Sequence, residues 1–118
     1  MSDENPILLV DDDPSIRKLC SRLLTRMNLK VVECGLGKEA LDAIQGPTSF
    51  QTVFLDITLP DISGTDLYVE FRKLHPDLPI ILFTGGSPPI QEPGMIYLKK
   101  PFTRASLSQA LQEAGVTH

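Results

Sequence analysis

Apolar residues along the chain fall into two kinds of pattern. Uninterrupted runs occur at Ile7-Leu8-Leu9-Val10, Val53-Phe54-Leu55, Ile80-Ile81-Leu82-Phe83 and Met95-Ile96-Tyr97-Leu98. A short continuous run bounded by turn residues predicts a strand buried on both faces. Val31-Val32 opens a shorter strand that reaches Cys34, and the third strand runs from Thr52 to Asp56. Between the runs, apolar residues recur at helical spacing. Ile16, Leu19, Cys20, Leu23, Leu24 and Met27 mark a first helix, with Asp13 as its N-cap, Pro14 as its first residue and Asn28 closing it. Ala40, Leu41 and Ile44 mark a second helix that stops at Gly46-Pro47. Leu67, Tyr68, Phe71 and Leu74 mark a third that ends before Pro76, and Leu107, Ala110, Leu111 and Ala114 mark a last one between Thr103 and Gly115.

Strands alternating with helices predict parallel strands joined by right-handed crossovers. The expected fold class is α/β, a flavodoxin-like, doubly wound, five-stranded parallel sheet of order 2-1-3-4-5. The 118 residues suit a single domain, 1–118, with a core from about 6 to 115. An apolar share of 42% and a charged share of 22% fit a folded, soluble composition. The net charge of −4 argues against nonspecific nucleic-acid binding. Cys20 and Cys34 lack metal-ligand spacing, and Cys20 reads as a reduced core thiol. No run is long enough to span a membrane, and Met1-Ser2-Asp3-Glu4 is no signal peptide, so the expectation is cytoplasmic, without membrane insertion.

In a parallel sheet the carboxyl ends of all strands share one edge, where ligands bind. Here that edge would carry Asp11, Asp12 and Asp13 after the first strand, Asp56 after the third, Thr84 after the fourth and Lys100 after the fifth. Crowded carboxylates stay ionised only if a cation offsets them, and few carboxylates with room for water suit Mg²⁺. A cation, a carboxylate, a lysine and a hydroxyl form a phosphoryl-transfer set, with Asp56 as nucleophile. Taken singly, each piece has a plainer reading. Asp13 reads as a helix cap, Thr84 as an ordinary strand end, Lys99-Lys100 as an exposed pair, His75 as a partner of a helix dipole, and Tyr68 and Phe71 as core. Their coincidence on one edge gives the set its meaning.

The motifs Leu8-Leu9-Val10-Asp11-Asp12-Asp13, Phe54-Leu55-Asp56 with Leu59-Pro60 and Gly64, Phe83-Thr84-Gly85 and Lys100-Pro101-Phe102 resemble those of response-regulator receiver domains of two-component signalling. The resemblance runs from Ile7 to about Ala114. It implies that Asp56 accepts the phosphoryl group and that Asp12 and Asp56 bind Mg²⁺ directly. Asp11 would stand close by, often acting through water, and the backbone carbonyl of Thr58 would add a ligand. It further implies Thr84 as the switch hydroxyl, Tyr97 as the aromatic switch, Gly85 as a small position keeping the site open, and Lys100 as the phosphate-binding lysine before a cis bond to Pro101. The Thr58 side chain would tune dephosphorylation. The implied donor is a histidine kinase or a histidine phosphotransfer protein, the output an unspecified protein partner, with no direct nucleic-acid contact. Such a domain phosphorylates and dephosphorylates itself rather than turning over as an enzyme.

One departure stands out. Only 15 residues separate Thr84 from Lys100, and they include Pro88, Pro89 and Pro93 with Gly85, Gly86 and Gly94. Proline breaks helix interiors, so the crossover helix usual in the family, its fourth, is expected to be missing or shortened. That puts output through the family's usual face in question and resembles receivers at the end of hybrid histidine kinases. With no DNA-binding segment after Ala114, the expectation is a single-domain regulator or a receiver cut from a larger protein. Two other readings stay open: a receiver-like binding module that takes no phosphate, and, more remotely, a haloacid-dehalogenase-type phosphatase with Asp11 and Asp13 in its D-x-D positions. Against the latter, Pro14-Ser15 replaces the expected Gly-Thr.

Overall fold

In the computed structural model, residues 5–85 and 95–118 are described. The elements are β1 (Ile7–Val10), α1 (Pro14–Arg26), β2 (Val31–Cys34), α2 (Gly37–Gln45), β3 (Val53–Asp56), α3 (Gly64–Leu74), β4 (Ile80–Thr84), β5 (Ile96–Lys99) and α4 (Arg104–Glu113). All strand pairs are parallel and the order is β2-β1-β3-β4-β5. The expected loss of the usual crossover helix falls on residues 86–94, outside the described residues.

Alternation along the strands divides the core in two. Ile7, Leu9, Phe54, Ile81, Phe83, Ile96 and Leu98 face α1 and α4, meeting Cys20, Leu24, Leu107 and Leu111. Leu8, Val10, Val53, Leu55, Ile80 and Leu82 face α2 and α3, meeting Ala40, Ile44, Leu67 and Phe71. Burial on both sides explains why these strands are continuous apolar runs. Cys20 and Cys34 are free, buried thiols, and burial pushes Cys20 up to about 12 and Cys34 up to about 11.

The helix ends follow local chemistry. Asp13 accepts the N–H groups of Ser15 and Ile16 at 2.9 and 3.4 Å, with Pro14 at the first helical position. Asn28 adopts φ 65° and Gly115 φ 78°, and each is followed by an N–H bonded five residues back, Leu29 to Leu24 at 3.1 Å and Val116 to Leu111 at 2.9 Å. Thr103 caps α4 by accepting from the Ser106 N–H.

Some expectations shift. β3 begins at Val53, one residue after Thr52, whose hydroxyl donates to the Pro79 carbonyl at 2.7 Å, while β4 extends through Thr84 and β5 runs from Ile96 to Lys99. Leu19 and Leu74, placed on apolar stripes by spacing, are 47% and 42% exposed. They lie at the margins of stripes whose centres are Cys20–Leu24 and Leu67–Phe71. His75 is the C-cap of α3, but its ring contacts the Ile44 carbonyl at the end of α2, at 3.1 Å, tying two helices together.

Gly64 is the most tightly enclosed of the described glycines. A Cβ there would stand 2.3 Å from Ile57 Cα and 2.8 Å from the Asp56 carbonyl oxygen, both backbone atoms that cannot swing aside. Gly64→Ala is therefore expected to lower stability by about 1–3 kcal/mol, read as a fall in the urea midpoint with an unchanged slope.

Candidate functional site

Chain reversal at β1 opens a crevice between the carboxyl ends of β1 and β3, with β4 beside β3 and β5 at the sheet edge. Asp56, the last residue of β3, is buried, and Asp11, just past β1, is wholly buried. Asp12 is exposed at the mouth. One carboxylate oxygen from each of Asp11, Asp12 and Asp56 lies within 4.8 Å of the others.

Lys100 reaches these acids from just past the carboxyl end of β5. Its backbone N–H donates to the Thr84 carbonyl at 2.8 Å, continuing the β4–β5 ladder by one residue. Its Nζ donates to Asp11 Oδ2 at 3.0 Å and to Asp56 Oδ2 at 3.3 Å. Nζ also lies 5.6 Å from the centre of the Phe83 ring, which stacks on Phe102 and meets Phe54 at a tilt. The Lys100–Pro101 peptide bond is cis.

The other Asp56 oxygen is held by its own loop. Oδ1 accepts the Thr58 N–H at 2.9 Å and the Thr58 hydroxyl at 2.8 Å. Asp11 Oδ1 accepts the Asp13 N–H at 2.9 Å, and the Asp11 carbonyl accepts Arg17 Nη1 at 2.8 Å while Arg17 Nε pairs with Glu33 at 3.3 Å. Thr84 closes β4 as a buried hydroxyl in register with Lys99. Tyr97 is half-buried on the α2–α3 side of the sheet, and its hydroxyl donates to Met95 Sδ at 3.4 Å. Gly85 is exposed, and an added Cβ would meet no atom of the described residues within 4 Å.

Electrostatics separates the acids. Burial raises Asp11, and the Asp56 charge adds to it, beyond what the Asp13 N–H and Lys100 offset. Burial also acts upward on Asp56, but the two Thr58 hydrogen bonds and Lys100 outweigh it and hold the carboxyl below the usual range. Asp56 is thus the member of the pair that stays ionised. Burial acts downward on Lys100, and the hydrogen bonds and charges of Asp11 and Asp56 more than offset it, so its ammonium is retained to higher pH than usual.

The donor set fits a hard divalent cation: only oxygens converge, from two buried acids and one exposed acid, with an opening to water at Asp12. Ion-pairing to a single ammonium leaves three carboxylates incompletely neutralised. Two contributors were not legible beforehand. Arg17 sits among the polar residues of α1, where a basic side chain has no distinguishing signal. Asp61 lies in a turn, and accepts the N–H groups of Gly37 and Lys38 at the start of α2, at 2.9 and 3.0 Å.

Comparison with known proteins identifies the family. The sequence profile of the response regulator receiver domain matches residues 7–112. The transcriptional regulatory protein GlrR of Escherichia coli K12 is 32% identical over 92% of this chain, a match spanning 26% of GlrR, so the chain corresponds to about a quarter of that regulator. The chemotaxis protein CheY4 of Vibrio cholerae superposes with a TM-score of 0.85 at 26% identity, covering 95% of this chain and 99% of that one. The response regulator TrrA of Thermotoga maritima, solved in complex with Mg(2+)-BeF, superposes with a TM-score of 0.82 at 31% identity over 93% of this chain and 98% of its own. Built around acids at the ends of β1 and β3 and a lysine from β5, this chain belongs to the response regulator receiver domain family.

Proposed function

We propose that Asp56 is the phosphoacceptor of this receiver domain, taking a phosphoryl group from a histidine kinase or histidine phosphotransfer protein in the cytoplasm. The observation that carries the reading is the pair of opposed grips on one carboxylate. Thr58 fixes Oδ1 through two donors, and Lys100 approaches Oδ2. That leaves an ionised, oriented nucleophile at the open end of the sheet. A carboxylate oxygen of Asp56 attacks phosphorus, the phosphorus–nitrogen bond of the donor breaks, and the imidazole leaves with its electron pair. An aspartyl phosphate results.

Asp11, Asp12 and Asp56, with the Thr58 carbonyl, would hold Mg²⁺. When bound, the ion offsets negative charge on the acids and on the incoming phosphoryl oxygens. Lys100 then supplies an ammonium to the phosphoryl oxygens from the side it already occupies. The Thr84 hydroxyl, at the neighbouring strand end, is placed as the group that follows the new charge, and Tyr97 on β5 as the aromatic residue that changes position with it. The Thr58 side chain, whose hydroxyl donates to Asp56, would tune the phosphoryl lifetime. The domain is read as a signalling switch whose output is a changed affinity for a protein partner.

Incubation with acetyl phosphate and Mg²⁺ is expected to add one phosphoryl group to the intact protein. Asp56→Asn and a chelated wild-type sample should show no gain, and a gain in Asp56→Asn would place the acceptor elsewhere. A second expectation concerns stability. Asp11 is a buried acid beside a like charge, so Asp11→Asn should melt higher than wild type in chelator, by a few degrees. Mg²⁺ should raise the wild-type melting temperature and leave that of Asp11→Asn nearly unchanged. A matching Mg²⁺ response in the variant would remove Asp11 from the ion's ligands.

A further inference from the structure

The first N–H groups inside α2 find no acceptor on their own N-cap residue. That residue is Leu36, whose side chain accepts nothing from the helix N–H groups. Asp61 supplies the missing acceptors from the loop that follows Asp56, 24 positions away from Gly37, with one oxygen on the Gly37 N–H at 2.9 Å and the other on the Lys38 N–H at 3.0 Å. The contact is close on all sides. A Cβ on Gly37 would stand 2.9 Å from Leu67 Cδ1, 3.1 Å from Ile62 Cβ and 3.3 Å from Asp61 Oδ1.

The same loop carries Thr58, the residue that orients Asp56. From Asp56 to Gly64 it is pinned at its start by the two Thr58 donors on Asp56 Oδ1 and at its end by the Gly64 N–H on the Ile57 carbonyl at 3.2 Å. Asp61 pins its middle to a separate element. We propose that Asp61 is a positioning residue for the acceptor. By capping α2 from the acceptor loop it holds the backbone in which Thr58 meets Asp56. The inference rests on Asp56 being the phosphoacceptor and extends the set of groups governing it to a side chain that touches neither Asp56 nor Lys100 in any hydrogen bond described above.

Glu39 offers an internal control. It serves the same helix end, accepting the Gly35 and Leu36 N–H groups at 3.0 and 3.1 Å, but these bonds stay within residues 35–39. A loss of α2 stability alone would make the two acids equivalent. A positioning role would not.

The test compares Asp61→Ala, Asp61→Asn and Glu39→Ala in the full chain. With Mg²⁺ and saturating acetyl phosphate, Asp61→Ala should gain its phosphoryl group about tenfold more slowly than wild type, through misplacement of the reacting carboxylate. The half-saturating acetyl phosphate concentration should not move. Asp61→Asn should recover part of the rate, since its amide oxygen keeps one acceptor. Glu39→Ala should stay within about twofold of wild type even where its melting temperature falls as far. Amide hydrogen exchange supplies a readout independent of phosphorylation: exchange at the Thr58 N–H in chelated protein should quicken in Asp61→Ala and not in Glu39→Ala. A wild-type rate with unchanged Thr58 exchange in Asp61→Ala overturns the inference, as does an equal slowing in Glu39→Ala. A wild type that takes no phosphoryl group overturns the reading of Asp56 instead, and Thr58 exchange then decides the positioning claim alone.

Discussion

Three like charges at one edge of a sheet are the constraint around which this structure is arranged. Asp11 and Asp56 are buried and face each other across the β1–β3 crevice, with Asp12 at its mouth. Such an arrangement persists only if cationic or N–H donors converge on it. The fold supplies them from unrelated stretches of chain. Lys100 arrives from β5, the Asp13 and Thr58 amides from two separate loops, and Arg17 fixes the main chain of Asp11 from α1. Strand order and the β4–β5 register deliver one ammonium to two carboxylates.

The two acids are not equivalent, and the difference comes from their neighbours rather than from depth of burial. Lys100 donates to both, but Asp56 has two further donors from Thr58 whereas Asp11 has one further amide, from Asp13. The better-solvated charge is the one at the position of the nucleophile. The Phe83 ring, in contact with Phe54 and Phe102, lies 5.6 Å from the Lys100 ammonium and adds a cation–π attraction to the two ion pairs.

Much of the fold and the inner site could be read from the chain because the signals are local. Ile7–Val10 and Ile80–Phe83 are continuous apolar runs since both faces of those strands are covered. Asp13-Pro14 and Gly115 mark helix ends through backbone chemistry that depends on the residue itself. Lys100 and Asp11 are 89 positions apart, so their meeting was legible only through the topology. What escaped were contacts whose residues look ordinary in sequence. Asp61 resembles any turn acid, and Arg17 any residue on a polar helix face. Leu19 and Leu74 show the reverse failure, since helical spacing places a residue on a stripe but not the stripe's margin inside the core. The ring of His75 went to α2 rather than to its own helix end, a choice that depends on how two helices lie together.

The position of β5 has a consequence for how a signal would leave the acids. Strands β1, β3 and β4 are laced to neighbours on both sides, while β5 is bonded within the sheet to β4 alone. The carboxylates therefore stand at the ends of strands paired on both sides, and the lysine follows a strand paired on one side only. A disturbance at the acids has little freedom to travel down the central strands. It has more freedom to travel sideways, along the β4–β5 ladder, where a small slip of one outer strand would carry Lys100, Tyr97 and the start of α4 together as one piece.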